Sequence, residues 1–350
     1  MQAAGVRPII DQRSIAVVGL VEVVAHIPRI WRQFRKLVRA IPVERPDVAV
    51  LTDAPDFHLR LAKKLKRAGV PVVYLIAPQA WAWREGRVKT LRATVDRLLC
   101  IFPFEEEFFN SRGVPATYIG HPLARIVKPA LSRTELCAKA QIPGDSRIVV
   151  LLPGSRHGEV ERHLPYLMEA AESIRLSQKI AFLIALPAGS DAENSSFWQR
   201  VGAASIQRIS GRVIEGHTWD ALAQAEVALA ASGTVTIEAA MLRAPMVTFY
   251  RVNALSWILG RWMVKAPFLS MVNLVAERKI VPELIQHEMT PAKMAEAALR
   301  LLEDETARER MRADLSEVAR KLSSERDPME IAAEWVVHVF DRAQRTSPVR

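Results

Sequence analysis

The residue types best suited to bind a nucleotide occur in segment 232–238, which reads Ser-Gly-Thr-Val-Thr-Ile-Glu after a short apolar run. Free backbone N–H groups at the start of a helix, together with the helix dipole, favour an anion there. We expect Ser232, Gly233 and Thr234 to contact a diphosphate. Glu238, one turn later, could accept hydrogen bonds from sugar hydroxyls. The simpler alternative is an ordinary helix with Ser232 or Thr234 as its N-cap.

A second segment has the same design. A strand-like run ends at Leu152 and is followed by Pro-Gly-Ser-Arg at 153–156. Gly154 lets the backbone approach a ligand, Ser155 can cap the following helix, and Arg156 offers a planar fork suited to a diphosphate. A Pro-Gly turn with a surface arginine is the alternative for this loop taken alone. Two such loops in one chain favour a nucleotide-diphosphate site.

An aspartate follows an earlier strand-like run, at 48–51. Ligand sites of parallel α/β sheets lie at the carboxyl ends of strands, so Asp53 is a candidate general base facing a cleft between two domains. Its alternative role is the cap of a helix that begins near Pro55, which would stabilise the fold by about 1 kcal/mol and do no chemistry.

The composition limits the classes of partner. Lysine and arginine total 48 against 38 acidic residues, a formal net charge of +10, which favours nucleotides, nucleic acid or an anionic membrane. The chain has no zinc-finger pattern and no RRM-type aromatic signature, so we predict no nucleic-acid partner. None of the 15 glycines forms a G-x-G, and there is no P-loop pattern, which argues against a dinucleotide fold of the usual kind.

The cysteine count and the hydropathy pattern indicate the compartment. Cys100 and Cys137 are the only cysteines, and no Cys/His cluster has zinc spacing, so we predict no disulfide, no metal site and no cofactor. A reducing cytoplasm fits this usage. No uncharged apolar run reaches the roughly 18 residues that span a bilayer, so we expect a soluble or peripheral protein.

Apolar, β-branched runs alternate with helical patterns along a chain that is 50% hydrophobic. This rhythm is typical of parallel sheets joined by crossover helices. It breaks at a proline-rich stretch that we interpret as a linker. We predict an α/β fold with domains at 1–125 and 147–325, a linker at 126–146, and a C-terminal helix and tail at 326–350.

Segment 27–41 is amphipathic at about 100° per residue. Its apolar arc contains Ile27, Ile30, Trp31, Phe34, Val38 and Ile41, and its basic side contains Arg29, Arg32, Arg35, Lys36 and Arg39. Such a helix can lie on an anionic bilayer, or it can pack its apolar arc into a core and leave its charges in water. These residues by themselves leave both interpretations open.

Seven motifs, in chain order, resemble those of the lipid-A-disaccharide synthase family. They are TDAPDF at 52–57, WAWR at 81–84, FPFE at 102–105, GHPL at 120–123, LLPGSR at 151–156, SGTVTIE at 232–238 and Asn-Leu at 273–274. The resemblance implies a GT-B glycosyltransferase with two Rossmann-like parallel-sheet domains, a cleft between them and C-terminal helices. It also implies a cytoplasmic enzyme that is peripheral on the inner face of the inner membrane of Gram-negative bacteria.

The implied reaction joins UDP-2,3-diacylglucosamine to 2,3-diacylglucosamine 1-phosphate with inversion, giving lipid A disaccharide 1-phosphate and UDP. By resemblance, Asp53 is the general base, and Arg156 with the turn at Ser232, Gly233 and Thr234 stabilises the leaving UDP. Glu238 would hold the ribose. Asn273 would help to close the donor site, whose other members are Gly154 and Ser155.

The substrates of this family carry bulky acyl chains, which would account for the apolar arc of segment 27–41. By resemblance, Val21, Val23, Val24, Ile27 and Trp31 contact the acceptor or an anionic inner-membrane surface, so the resemblance favours the membrane interpretation of the amphipathic segment. Family members often dimerise, so the resemblance allows for a homodimer.

The sequence departs from the family pattern at its start, at segment 77–80, which lacks the more usual serine, and at Glu277. The family begins with a strand, a Gly-rich turn and a helix that would precede Met1, so we expect the chain as written to be poorly stable or inactive. Glu277 stands where the family often has glycine, so donor affinity is expected to differ. An inactive nucleotide-sugar-binding homologue and another GT-B UDP-sugar enzyme are the competing interpretations.

Overall fold

The computed structural model describes residues 5–10, 20–177, 180–190, 203–253, 257 and 266–346. The chain forms two compact units. The first contains the described residues up to Gly120 and those from Ser324 onward, and the second contains the described residues from His121 to Ser323. The chain therefore leaves the first unit and returns to it.

The first unit is built on a parallel sheet whose strands, within the described residues, lie in the order β1-β2-β3-β4. The strands are β1 (Ala49–Thr52), β2 (Val72–Leu75), β3 (Arg97–Cys100) and β4 (Ala116–Tyr118). The helices before and between them are α1 (Leu20–Glu44), α2 (Pro55–Arg67), α3 (Arg87–Thr94) and α4 (Pro103–Asn110). Short connections between strand and helix bring the segments that follow each strand to one edge of the sheet.

Burial explains why these short apolar runs become strands. Val72, Val73 and Tyr74 in β2 are completely buried, as are Leu98 and Leu99 in β3. Strands covered on both faces need apolar side chains at successive positions, and the two runs supply them.

The second unit holds a larger sheet, in the order β10-β9-β8-β5-β6-β7, whose strand pairs are all parallel. Its strands are β5 (Arg147–Leu152), β6 (Ile180–Leu186), β7 (Gly211–Glu215), β8 (Val227–Ala231), β9 (Met246–Tyr250) and β10 (Glu283–Ile285). Its helices are α5 (Leu123–Ile126), α6 (Arg133–Ala140), α7 (His157–Ser177), α8 (Ala203–Arg208), α9 (Thr218–Ala223), α10 (Thr234–Met241), α11 (Met271–Ala276), α12 (Pro291–Glu303) and α13 (Glu305–Leu322). The predicted α/β class with two parallel sheets is confirmed.

The last helix, α14 (Pro328–Thr346), belongs to the first unit and packs against β2 and β3. The guanidinium carbon of Arg97 lies 3.8 Å from the ring centre of Trp335 on this helix. Ala332 and Val339 are buried. The segment that the sequence analysis set apart as a C-terminal helix and tail thus completes a face of the first sheet.

Candidate active site

The two predicted anion loops leave neighbouring strands of the second sheet. β5 pairs with β8 in parallel, with Leu152 opposite Ala230. Adjacent strands are about 5 Å apart, so loop 153–156 and the turn at 232–234 begin side by side. From β5 the chain first builds β6 and β7 on one side and then crosses to β8 on the other. Open α/β sheets bind ligands at such a reversal of strand order.

Loop 153–156 is shaped around a carboxylate. Gly154 has a φ of +127°, and a Cβ built there would lie 2.7 Å from the Cβ of Glu159. The Ser155 N–H donates to Glu159 Oε2 at 3.3 Å, and Arg156 Nη1 donates to Glu159 Oε1 at 2.9 Å. Glycine is therefore required at 154 for both conformational and steric reasons. The sequence analysis gave Glu159 no role in the site.

A buried histidine holds loop 153–156 to a neighbouring segment. His163 is completely buried, its Nδ1 lies 2.7 Å from the Pro153 carbonyl oxygen, and its Nε2 accepts from the Arg251 N–H at 3.2 Å. Burial lowers the pKa of His163, although its contacts with Pro153 and Arg251 act to raise it. A neutral ring that donates from Nδ1 and accepts at Nε2 fits both contacts, so it ties the loop to the segment after β9.

The turn between β8 and α10 leaves its backbone near the helix start accessible. The Ser232 N–H donates to the Phe249 carbonyl at 2.8 Å, and Ser232 Oγ donates to the Leu269 carbonyl at 3.3 Å. Gly233 and Thr234 are exposed. Gly233 occupies the N-cap position of α10, and no side-chain capping bond is formed there. The alternative in which Ser232 or Thr234 caps this helix is therefore wrong.

Two further predicted donor-site residues are held by partners in the second unit. Trp219 Nε1 donates to Glu238 Oε2 at 2.8 Å, and burial raises the pKa of Glu238 against the effect of that bond. Asn273 is completely buried. Its Nδ2 donates to the Val281 carbonyl and to Glu283 Oε1, and its Oδ1 accepts two backbone N–H groups. The amide of Asn273 is therefore fully engaged within the second unit, and its role in closing the donor site stays a prediction.

The backbone conformation at position 277 explains why the family often has glycine where this chain has glutamate. Glu277 ends α11 in the left-handed conformation, with φ of 59°. Glycine is favoured at this position because it lacks a Cβ. The exposed Glu277 adopts the same conformation at a steric cost.

In the first unit, Asp53 lies directly after β1 in a left-handed turn, with φ of 53° at Asp53 and 38° at Ala54. Its carbonyl oxygen accepts from Tyr74 Oη at 2.8 Å and from His58 Nδ1 at 2.9 Å. Asp53 is exposed, and within the described residues its carboxylate has no hydrogen bond or ion pair. The N-cap of α2 is Ala54, without a side-chain capping bond, so the capping role considered for Asp53 is wrong.

The neighbouring Asp56 is engaged with two arginines. It lies 2.8 Å from Arg84 Nη1 and 2.9 Å from Arg87 Nη2, and both guanidinium groups lie within 4.8 Å of the ring centre of Trp83. Burial acts to raise the pKa of Asp56, but Arg87 and Arg84 together hold it below its usual value. Arg87, which sequence reasoning missed, is 31 positions away along the chain and carries no local signal of this contact.

A buried carboxylate, Glu105, also holds the loop that contains Trp81. Trp81 Nε1 donates to Glu105 Oε1 at 2.9 Å, and Glu105 Oε2 accepts from the Phe102 N–H at 3.2 Å. Glu105 is completely buried, and burial raises its pKa to about 7 despite these bonds. The WAWR and FPFE motifs therefore meet in space.

The apolar arc of α1 divides into two parts. Phe34 and Ile41 are buried, and the ring of Phe34 meets that of Phe57 edge-on with 5.5 Å between ring centres. Ile27 and Trp31 are each 52% exposed. Val21, Val23 and Val24 belong to the part of α1 whose side chains lie outside the described residues. The core interpretation therefore holds for Phe34 and Ile41, and the membrane interpretation stays a prediction for the exposed Ile27 and Trp31.

Comparison with known proteins identifies the family. A family model described as lipid-A-disaccharide synthetase matches residues 1–334. The chain belongs to the lipid-A-disaccharide synthase family. The lipid-A-disaccharide synthase of Solibacter usitatus is 56% identical over 323 residues, which are 92% of this chain and 83% of that protein. That of Koribacter versatilis is 40% identical over 345 residues, covering 99% and 89%. The resemblance is confirmed, and with it a glycosyltransferase enzyme of lipid A biosynthesis.

Solved structures support the fold that this family membership implies. A MnaA–UDP structure from S. aureus aligns with a TM-score of 0.64 at 11% identity, over 97% of this chain and 86% of that chain. A putative UDP-N-acetylglucosamine 2-epimerase from Listeria monocytogenes aligns with a TM-score of 0.61 at 12% identity, over 96% and 83%. The predicted GT-B fold is confirmed. In the described part of this family member, every helix is too short or too polar to cross a bilayer.

Proposed function

We propose that the chain transfers 2,3-diacylglucosamine from UDP to the 6-hydroxyl of 2,3-diacylglucosamine 1-phosphate. The products are the β-1',6-linked lipid A disaccharide 1-phosphate and UDP. The observation that carries this proposal is the pair of anion loops at the strand reversal of the second sheet, taken with family membership. Nucleotide-sugar binding accounts for both loops.

The donor half of the reaction belongs to the second unit. When the sugar C1–O bond breaks, negative charge develops on the departing diphosphate of UDP. Arg156 and the accessible turn at Gly233 and Thr234 supply positive and N–H groups to that charge, and fixed donors of this kind lower a barrier without reorganising. One carboxylate oxygen of Glu238 is held by Trp219, and the other is the proposed acceptor for ribose hydroxyls.

The acceptor half requires a base. The acceptor hydroxyl attacks C1 from the face opposite UDP, and its proton passes to a carboxylate as the new C–O bond forms. Asp53 fits this role because it is exposed and its carboxylate is uncommitted among the described residues. Its backbone is held by Tyr74 and His58, which limits the positions that the carboxylate can take. Such proton transfer contributes about 10²- to 10⁴-fold to rates.

The substrates place the enzyme at a membrane surface, and α1 supplies a matching surface. Exposed Ile27 and Trp31 share this helix with Arg32, Arg35 and Arg39, all exposed. Apolar side chains beside arginines favour the boundary of an anionic bilayer. We therefore place the protein peripherally on the cytoplasmic face of the inner membrane.

Replacing Asp53 with asparagine tests the reaction and the base together. Purified parent chain and Asp53→Asn would be given both lipid substrates, and UDP release and disaccharide formation would be followed. We expect kcat to fall about 10²- to 10⁴-fold, with UDP affinity unchanged, because asparagine cannot accept the proton.

Asp47→Asn is the matched control, since Asp47 is an exposed acid just before the same strand. It should keep the parent rate. Disaccharide formation at the parent rate by Asp53→Asn would remove Asp53 from the mechanism. UDP binding without any transfer by the parent chain would instead favour the nucleotide-sugar-binding interpretation.

A further inference from the structure

The carboxylate of Glu159 already occupies the hydrogen-bond donors expected to bind the diphosphate. Its Oε1 accepts from Arg156 Nη1 at 2.9 Å, and its Oε2 accepts from the Ser155 N–H at 3.3 Å. These are a guanidinium and a backbone N–H at the start of a helix, which are the donors that favour phosphate oxygens. Glu159 thus makes the contacts of a bound anion within the chain.

Three surrounding features hold this carboxylate in place. Tyr250 Oη donates to Glu159 Oε1 at 3.1 Å, and the Glu159 side chain is only 13% exposed. Gly154 provides the room, because a Cβ there would lie 2.8 Å from Glu159 Oε2. The Arg156 side chain, in contrast, is 55% exposed. The arginine is therefore the partner with room to turn towards a ligand, and the glutamate is the enclosed one.

We propose that Glu159 competes with the diphosphate of the nucleotide for Ser155 and Arg156. Binding of the nucleotide removes Arg156 from Glu159, and the return of Arg156 to Glu159 assists the departure of UDP. This inference rests on the proposed function of loop 153–156 in binding the diphosphate. It assigns to Glu159 the setting of nucleotide affinity and of the UDP release rate.

The charge balance limits how strong the competition is. An ion pair with one exposed partner is weak, so its loss opposes ligand binding only modestly. The fixed carboxylate of Glu159 also repels the phosphates, which opposes ligand binding further. A weak competitor of this kind lowers affinity without abolishing it, which suits an enzyme that must release its product in every turnover.

Replacing Glu159 with glutamine tests the competition directly. Glutamine keeps the size and can still accept from the Ser155 N–H, but it carries no charge to hold Arg156. We expect Glu159→Gln to bind UDP about five-fold more tightly than the parent chain, by calorimetry on the purified protein. The UDP dissociation rate should fall by a similar factor in a stopped-flow displacement experiment.

Glu161→Gln is the matched control, because it removes one negative charge from the same helix two residues later. Its UDP affinity should equal that of the parent chain. Glu159→Asp is a second variant, in which a side chain shorter by one methylene keeps the charge but holds it farther from Arg156. It should bind UDP more tightly than the parent chain, by a smaller factor than Glu159→Gln. Equal or weaker UDP binding by folded Glu159→Gln and Glu159→Asp would overturn the inference and leave Glu159 as a purely positioning residue.

Arg156→Ala separates failure of this inference from failure of the proposed function. Unchanged UDP binding by Arg156→Ala would remove loop 153–156 from the nucleotide site, and both proposals would fall. Weaker binding by Arg156→Ala without tighter binding by Glu159→Gln would overturn the competition alone.

Discussion

Strained backbone marks the candidate acceptor end of the first sheet. Asp53, Ala54 and Ile76 have φ of 53°, 38° and 65°, and they follow β1 and β2 directly. The left-handed conformation costs residues other than glycine roughly 1–2 kcal/mol each, so the surrounding contacts must hold it. Tyr74 Oη does so at the Asp53 carbonyl. Strain of this kind clusters at functional sites, which agrees with the proposed role of Asp53.

Ala54→Gly should raise the stability of the protein. Glycine removes the steric cost of the left-handed conformation and takes away only an exposed methyl group. Its greater entropy when unfolded partly offsets this, so we expect a gain of up to about 1 kcal/mol. The free energy of unfolding in urea measures it. Val50→Gly is the control, because Val50 is 47% exposed in β1 and is absent from the left-handed residues. Val50→Gly should destabilise the protein, and an equal loss for Ala54→Gly would contradict the prediction.

Residue-level prediction from sequence succeeded where the signal was local. Loop 153–156 follows its strand as expected, because strand, small-residue turn and helix are adjacent in the chain. The roles of Glu159 and Arg87 were missed. Glu159 acts through a side-chain conformation that Gly154 permits, and Arg87 reaches Asp56 only after the chain has folded back.

Two elements of the first unit are joined by a single buried carboxylate. Glu105 in the first turn of α4 accepts from Trp81, which lies in the loop after β2. The ring of Trp81 also meets Phe104 edge-on, with 4.9 Å between ring centres. Loop and helix are therefore fixed to each other at the carboxyl edge of the sheet, where Arg84 and Arg87 engage Asp56.

Glu105 should make the stability of the protein depend on pH. Its pKa is about 7 in the folded state against an ordinary 4.5, so the folded state holds the proton more tightly. Its contribution is fully present below pH 4.5 and is lost as the pH rises through about 7. We therefore expect the free energy of unfolding of the parent chain, minus that of Glu105→Gln, to fall between pH 5 and pH 8. The change should be on the order of 2 kcal/mol.

Urea unfolding of both proteins at several pH values measures this difference, in which other titrating groups cancel. Glu107→Gln controls for the loss of one carboxylate from the same helix, since Glu107 is exposed. A difference between parent and Glu105→Gln that does not change with pH would show that Glu105 titrates alike in both states.

At the scale of the whole molecule, the basic excess of the chain and the exposed half of α1 support the same membrane proposal. The sequence predicted the two parallel sheets because buried strands require continuous apolar runs. It could not divide α1 into a buried half and an exposed half. That division depends on where α2 places Phe57 against Phe34, which is a tertiary contact.

Ile27→Glu should weaken binding to vesicles that contain phosphatidylglycerol. The change removes an exposed apolar side chain and adds a charge that the anionic surface repels, so we expect a loss of about ten-fold or more. Co-sedimentation with vesicles measures it. Val43→Glu is the control, because Val43 is 77% exposed on the same helix but about 24 Å away. An equal loss for both variants would point to net charge alone.

The return of α14 to the first unit orders events during synthesis on the ribosome. The strands β2 and β3 emerge early, but the helix that covers one of their faces is translated after the entire second unit. Until Pro328–Thr346 leaves the exit tunnel, Arg97 has no Trp335 to stack on and the apolar face of this sheet stays open to water. The nascent chain is thus most exposed to chaperones and proteases through its earliest part, and premature termination near its last codons would damage the unit that contains Asp53.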